Sequence, residues 1–386
     1  MIKNAELLII GGGPAGLCAA KAAAELGARV LLIEKDEEPG GQLVKQTHKF
    51  FGSEKQYAGD RGIHIGRRLV EEVNAHPSIE VWCGAAALGI YEDGIVTVFH
   101  ENRHKKIRPG RIIIATGAAE KFLAFPGNDL PGIYGAGAVQ TLMNVAGVKP
   151  AQRVLMVGAG NIGLIVSYQL MQAGVEVAAV VEAAPNIGGF LVHASKIRRA
   201  GVPILTGYTV KEARGNGVLE SVTICRLDEN FQQIPGTDRE IPCDTMCLAV
   251  GLTPLTELCF QAGCRMEFVR ELSGHVPLTD DYLETTVPGI YAAGDVSGIE
   301  EASSAMVEGR LAGCATAAGL GHDPKKAMEL ADEAAAELKI LRSGPAGTKI
   351  RAGLKKAAGM AQRPATISVD SGTSAILNAE KGGLLC

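Results

Sequence analysis

Two glycine-rich turns of one design, about one domain apart, constrain the fold of this chain more than any other feature. The first reads Gly11-Gly12-Gly13-Pro14-Ala15-Gly16 and follows the run 6–10. The second reads Gly158-Ala159-Gly160-Asn161-Ile162-Gly163 and follows the run 154–157. Each opens a helical pattern, and each is followed by an apolar run that ends in an acid, Glu34 (before Lys35) and Glu182. In this fingerprint the first glycine permits a tight turn, the second lets backbone approach a pyrophosphate, and the third lets helix pack on strand. Phosphates are favoured at the helix N-terminus by free N–H groups and the helix dipole. The acid accepts hydrogen bonds from ribose hydroxyls. One such turn is a weak signal, but two in full strand–helix–strand settings predict two dinucleotides on one polypeptide, an arrangement suited to electron transfer.

The 386 residues are enough for two to three domains. A hydrophobic content of 47%, abundant Gly and Ala, and a single Trp fit packed α/β architecture. The formal charge of −4 argues against bulk nucleic-acid binding. No apolar run reaches transmembrane length. The first strand begins within a few residues of Met1, which leaves no room for a signal peptide, so a cytoplasmic protein is expected. The nine cysteines are scattered and no pair has CxxC spacing, which reads as reduced, mostly buried thiols. Cys243, Cys247, Cys259 and Cys264 lack the knuckle of a zinc site, and no metal is expected.

After the first βαβ unit, 5–34, the loop Pro39-Gly40-Gly41-Gln42-Leu43 precedes a helical stretch over 62–74 and short strands near 80–83 and 95–100. A buried strand, Arg111-Ile112-Ile113-Ile114, stops at Ala115-Thr116-Gly117. A Pro/Gly-rich crossover, 126–137, leads to a short helix near 138–145. The second βαβ unit, 153–182, is followed by a helix near 191–200, strands near 203–205 and 221–227, and an apolar strand ending at Gly251. Beyond Ala293-Gly294-Asp295 come a long Ala/Gly-spaced helix over 301–318 and a helical pattern over 324–341. The tail, 343–386, carries six Lys/Arg against two Asp/Glu with weak periodicity, and reads as a mobile arm or a partner-binding segment.

The order of these motifs resembles the two-dinucleotide-binding flavoprotein superfamily, which includes thioredoxin reductase and other pyridine nucleotide-disulfide oxidoreductases. The resemblance covers roughly 5–320. It implies an α/β fold of two Rossmann-like, three-layer dinucleotide-binding domains, the second inserted in the first. On that scheme 1–120 and 249–322 form the first domain and 121–248 the second. Residues 323–386 supply a short helical extension and a flexible, partner-binding tail. FAD is implied at the first fingerprint, with Gly11, Gly13, Pro14, Ala15, Gly16, Glu34, Lys35, Gly40, Gly41, Gln42, Ala115, Thr116, Gly117 and Gly251 around it. Gly294 and Asp295 would meet the ribityl–phosphate arm, and the next helix would aim its N-terminus at the flavin ring. NAD(H), or another nucleotide, is implied at Gly158, Gly160, Asn161, Ile162, Gly163 and Glu182. A carboxylate at Glu182 suits the 2′-hydroxyl of NAD and repels the 2′-phosphate of NADP; Ala183-Ala184-Pro185 adds no arginine for that phosphate.

The departures from the superfamily are equally informative. Neither 132–139 nor 40–48 contains a cysteine, so both usual places for a redox dithiol lack one and disulfide reduction is rejected. The subgroup without redox cysteines looks closer: the flavin subunits of hydrogen cyanide synthase, opine oxidase, and heteromeric proline, hydroxyproline or sarcosine-type dehydrogenases. That likeness implies a partner subunit carrying a second flavin or an iron–sulfur centre, with a small amine as substrate. Only Cys386 follows Cys314, too few thiols for a cluster built by this chain's C-terminal part alone.

The segment Lys45-Gln46-Thr47-His48-Lys49-Phe50-Phe51-Gly52 follows the Gly-Gly motif. In it Lys45 is a candidate to stabilise reduced flavin and His48 to move a proton; the alternative is a solvated loop anchored by its aromatics. Two functions stand open: an electron-transferring subunit of a heteromeric amine or amino-acid dehydrogenase, and a stand-alone NADH-dependent flavin oxidoreductase. The intact glycines at both sites speak against a scaffold without chemistry.

Overall fold

The computed structural model describes residues 2–50 and 53–361. Phe51, Gly52 and 362–386, including Cys386 and most of the expected tail, lie outside the described residues.

The chain opens with β1 (Ile2–Ile10), α1 (Pro14–Glu25) and β2 (Val30–Ile33). It continues through α2 (Gly62–Ala75), β3 (Ile79–Trp82), β4 (Ala86–Ile90), β5 (Val96–His100), β6 (Arg103–Ile114) and the short β7 (Ala118–Glu120). Next come β8 (Ile133–Gly135), α3 (Ala136–Asn144), β9 (Arg153–Val157), α4 (Asn161–Gln172), β10 (Glu176–Glu182), α5 (Leu191–Arg199) and β11 (Ile204–Thr206). An antiparallel ribbon of β12 (Tyr208–Arg214), β13 (Ser221–Arg226) and β14 (Arg239–Pro242) precedes β15 (Thr245–Leu248) and β16 (Leu252–Pro254). The chain then runs through α6 (Glu257–Gln261), β17 (Met266–Val269), β18 (Gly274–Pro277), β19 (Ile290–Ala292), α7 (Ala302–Gly319), α8 (Pro324–Leu341) and α9 (Thr348–Ala361).

Two sheets organise these elements. The first has the order β3-β2-β1-β6-β5-β4, with β19 pairing with β6 as well. Its β1, β2, β3, β6 and β19 are mutually parallel. The second sheet, β11-β10-β9-β15-β8, is parallel throughout. Strands covered on both faces read as unbroken apolar runs, and Val30-Leu31-Leu32-Ile33 are all at most 3% exposed. β19 and α7 return to the first unit after the whole second sheet has formed, so the second unit is inserted in the first. The antiparallel pair β7–β16 carries the chain out and back.

Helix α1 meets α7 across small residues. A Cβ on Gly309 would lie 2.0 Å from the Ala15 carbonyl oxygen, and one on Gly313 would lie 2.5 Å from that of Ala19. This close approach sets α7 against the first fingerprint.

Two expectations change. The strand expected at 111–114 is the end of a twelve-residue strand that runs through Pro109 and Gly110. Pro109 pairs with Ala5 of β1, but on its other side it falls between the last β5 partner, Ile107, and the first β19 partner, Ile112. A proline is tolerated there because no ladder bond is needed. The first part of the tail is also ordered. α9 lays Ile350, Leu354 and Ala357 against Val269, Leu272 and Val276. The Arg351 guanidinium donates to the carbonyls of Arg342 and Gly344, and Lys356 pairs with Glu271. Three modest apolar residues at helical spacing are a weak signal, and their partners lie far away in sequence.

Among the described residues no helix is long and apolar enough to cross a membrane, and no group of three or more His, Cys, Asp or Glu is placed to hold a metal ion.

Candidate functional site

The first fingerprint forms a cradle at the carboxyl ends of β1, β2 and β6. Gly11 has φ +108°, and a Cβ there would stand 2.3 Å from the Ala115 carbonyl oxygen. Gly16 lies even closer to its neighbour: its Cβ would fall 1.8 Å from the carbonyl oxygen of Gly11. Gly13 begins α1 with no side-chain cap and Pro14 follows it, so the first-turn N–H groups are left for a ligand. Glu34, 5% exposed, accepts the Gly12 N–H at 2.7 Å on one oxygen and the Asp36 N–H at 2.9 Å on the other. Each carboxylate oxygen keeps acceptor capacity for a ribose hydroxyl. Lys35 is exposed and pairs with Asp36.

The loop at Gly40-Gly41 closes over this turn. The Gly40 N–H donates to the Gly12 carbonyl at 2.8 Å, and a Cβ on Gly41 (φ +52°) would meet the Gly13 Cα at 2.7 Å. Gln42 beside it is exposed. Thr116 donates its hydroxyl to the Leu255 carbonyl at 2.6 Å, and the Leu255 N–H donates to Gly117. Gly251 accepts the Lys121 N–H at 2.9 Å, which places Ala115-Thr116-Gly117 and Gly251 together where the two units join. Gly294 packs on α1, since a Cβ there would stand 2.9 Å from that of Ala15. Burial pushes the Asp295 carboxyl up to about 6. The buried Ser297 hydroxyl has no hydrogen-bond partner among the described residues.

These features fit FAD. A backbone cradle without Cβ atoms, an acid at the end of β2 and an under-satisfied Asp295–Ser297 turn beside the α1 N-terminus are what a diphosphate with a polyhydroxy arm requires.

The second fingerprint repeats the first almost atom for atom. Gly158 has φ +107°, with its would-be Cβ 2.3 Å from the Ala249 carbonyl oxygen. A Cβ on Gly163 would lie 2.0 Å from the Gly158 carbonyl oxygen. Glu182 accepts the Ala159 N–H at 2.7 Å and the Ala184 N–H at 2.9 Å, as Glu34 does with Gly12 and Asp36. Gly160 starts α4 without a side-chain cap.

The repeat extends to a pair that the sequence reading missed. Gly188 and Gly189 stand six and seven residues after Glu182, as Gly40 and Gly41 stand after Glu34. Both donate to the Ala159 carbonyl, and a Cβ on Gly189 would meet Gly160 at 2.8 Å. The shared Glu-x5-Gly-Gly spacing was the signal available. Asn161 accepts the Phe190 N–H at 2.8 Å and donates to Glu301 at the start of α7 at 3.3 Å, joining the two cradles. Ile162, next to it, is partly exposed.

Lys45 and His48 both face the second unit. The Lys45 ammonium donates to the Gly137 carbonyl at 3.0 Å and to Thr141 at 3.3 Å, and the Lys45 carbonyl accepts from Asn144 at 2.7 Å. His48 stacks on Phe50, and its Nδ1 has no partner among the described residues. Burial, with the charges of His193 and Lys196 on α5, pushes the His48 imidazole down to about 4. The unfolded chain therefore binds this proton more readily. The stability His48 contributes is complete above about pH 6.5 and is lost as pH falls toward 4. On the order of 3 kcal/mol is at stake. Urea midpoints at pH 7.5 and 4.5 should fall less in His48→Asn than in wild type; parallel falls would contradict this.

Comparison with known proteins adds the following. The family model for pyridine nucleotide-disulphide oxidoreductases matches residues 5–309. An opine oxidase subunit of Agrobacterium tumefaciens (strain Ach5) is 31% identical over 346 residues, covering 82% of this chain and 66% of the relative. Hydrogen cyanide synthase subunit HcnB of Pseudomonas aeruginosa is 28% identical, covering 80% and 70%. Among solved structures, L-proline dehydrogenase from P. horikoshii superposes with a TM-score of 0.65 at 25% identity, covering 86% of this chain and 60% of that one. The chain thus spans about two thirds of the length of these relatives.

Proposed function

The chain belongs to the pyridine nucleotide-disulphide oxidoreductase family, and we propose that within it the protein is the electron-transferring, FAD-dependent subunit of a heteromeric amine or amino-acid dehydrogenase of the opine, sarcosine, proline or hydroxyproline type. The observation that carries this reading is the pair of complete dinucleotide cradles, with no cysteine in the two segments, 40–48 and 132–139, where a dithiol relay would sit. Bound FAD would supply the acceptance and release of hydride equivalents. Glu34 would hold the adenosine ribose, the α1 N-terminus the pyrophosphate, and Asp295 the ribityl arm. The N-terminus of α7 would favour negative charge on the ring. Lys45 and Asn144 fasten the loop at 41–45 to α3, which keeps that loop's position over the cradle.

Glu182 and the α4 N-terminus suit NADH at the second cradle. The relatives are named as subunits, which supports a partner chain that oxidises the amine and carries a second flavin or an iron–sulfur centre. Under anaerobic conditions the isolated, FAD-loaded chain should show no bleaching of its flavin band with L-proline, hydroxyproline, sarcosine or an opine. Rapid bleaching by any of these would place the amine site in this chain and overturn the division of labour.

The completeness of the second cradle favours one other reading, a stand-alone NADH-dependent flavin oxidoreductase. Sustained NADH turnover by the lone chain with a physiological small-molecule acceptor would select it.

A further inference from the structure

The turn that carries Gly294 and Asp295 is held by Glu308, and Glu308 is paired with Arg342, a residue from outside the part of the chain that matches the family model. The Glu308 side chain, buried inside α7, accepts the Gly294 N–H at 2.7 Å. Its other oxygen meets the Arg342 guanidinium, which also forks onto both oxygens of Glu300 at 2.6 and 3.1 Å. Glu300 donates its backbone N–H to Asp295 at 3.3 Å. All three charged side chains are nearly enclosed: Arg342 is 13% exposed, Glu300 11% and Glu308 7%. One guanidinium therefore serves two nearly enclosed carboxylates; Glu308 is bonded to the Gly294–Asp295 turn through its carboxylate and Glu300 through its backbone N–H.

Arg342 lies one residue past the end of α8, and α9 fixes its backbone because Arg351 donates to the Arg342 carbonyl. Through Leu272, α9 also reaches the segment just after this turn. It packs on Leu272, whose carbonyl accepts the Ile299 N–H and whose side chain fills the space beside Gly298.

We propose that Arg342 is a positioning residue of the flavin site, supplied by the C-terminal extension: it pairs with and orients the side chains of Glu308 and Glu300, and through these two residues aims the Gly294 and Asp295 groups at the flavin's ribityl–phosphate arm. The inference rests on the reading that the first cradle holds FAD. A buried carboxylate that loses its only counter-cation among the described residues is strongly disfavoured as an anion, and a Glu308 side chain that turns away to reach water no longer fixes the Gly294 N–H. The planar fork matters too, since a lysine ammonium cannot bond Glu300 at both oxygens while touching Glu308.

The test titrates flavin-free chains with FAD and measures the midpoint potential of the bound flavin. Arg342→Met should weaken FAD binding about tenfold or more and shift the midpoint potential of the bound flavin, because the Gly294 N–H and Asp295 no longer hold their places at the ribityl–phosphate arm. The double variant Arg342→Met/Glu308→Gln should regain most of the affinity, since a neutral amide still accepts the Gly294 N–H without needing a cation. Wild-type affinity and potential in Arg342→Met would overturn the proposal, as would a double variant no better than the single one. If Arg342→Met does not fold, Arg342→Lys takes its place with the same readouts. A wild-type chain that binds no FAD would instead sink the reading on which the proposal rests.

Discussion

Gly16→Val is expected to purify without flavin, while Gly163→Val keeps flavin and loses its response to NADH. The reason is steric. Even the first carbon of a side chain on Gly16 would sit 1.8 Å from the Gly11 carbonyl oxygen. Gly11 cannot retreat, because its N–H is bonded to Ile33 and its own missing Cβ faces the Ala115 carbonyl at 2.3 Å. Either α1 lifts from β1 or the turn opens, and both destroy the cradle. Overpacking of this kind costs about 1–3 kcal/mol, and the backbone contact puts this case at the upper end. Gly163 has the same relation to Gly158 at 2.0 Å, in the inserted unit. The pair therefore dissects the two sites, read as flavin per chain by absorbance and as NADH binding by calorimetry. Stoichiometric flavin in Gly16→Val would show that the first cradle is not where it binds.

Glu182→Ala should lower NADH affinity by roughly 10- to 100-fold, the loss expected when hydrogen bonds to one carboxylate disappear. NADPH should lose far less than NADH, because the charge that repels its 2′-phosphate is gone. In the folded protein Glu182 also accepts the N–H groups of Ala159 and Ala184, so part of the loss reflects a looser turn. The comparison with NADPH separates the two effects: loosening weakens both nucleotides, whereas loss of ribose recognition weakens NADH alone. An unchanged NADH affinity would remove Glu182 from the site.

Both cradles were legible in the sequence because their requirements are local. A turn that needs φ above +100° at Gly11 and Gly158 leaves its mark as glycine at fixed spacing from an acid. Gly188-Gly189 was equally local but went unread, because Phe190 stands where the first unit has Gln42 and the likeness lies in spacing rather than identity. The Glu308–Arg342 pair was not legible at all. Its members are 34 residues apart, one inside α7 and the other just past the end of α8, and nothing in the pattern around either marks a charge as inward-facing. Lys45 and His48 were singled out from their place after the Gly-Gly loop, but which way a side chain turns from such a loop depends on what the inserted unit offers. Here α3 offers the Gly137 carbonyl and Thr141, and α5 brings His193 and Lys196 near His48. α9 was missed because its apolar stripe is short and its docking surface, around Leu272, lies some eighty residues upstream.

The most direct measurement is an anaerobic titration of the FAD-loaded chain, first with NADH and then with NADPH, following the oxidised flavin band. Two working cradles with Glu182 at the second predict rapid bleaching by NADH and much slower bleaching by NADPH. No bleaching by either nucleotide would contradict the account, because the second cradle would then not exchange hydride with a flavin held in the first.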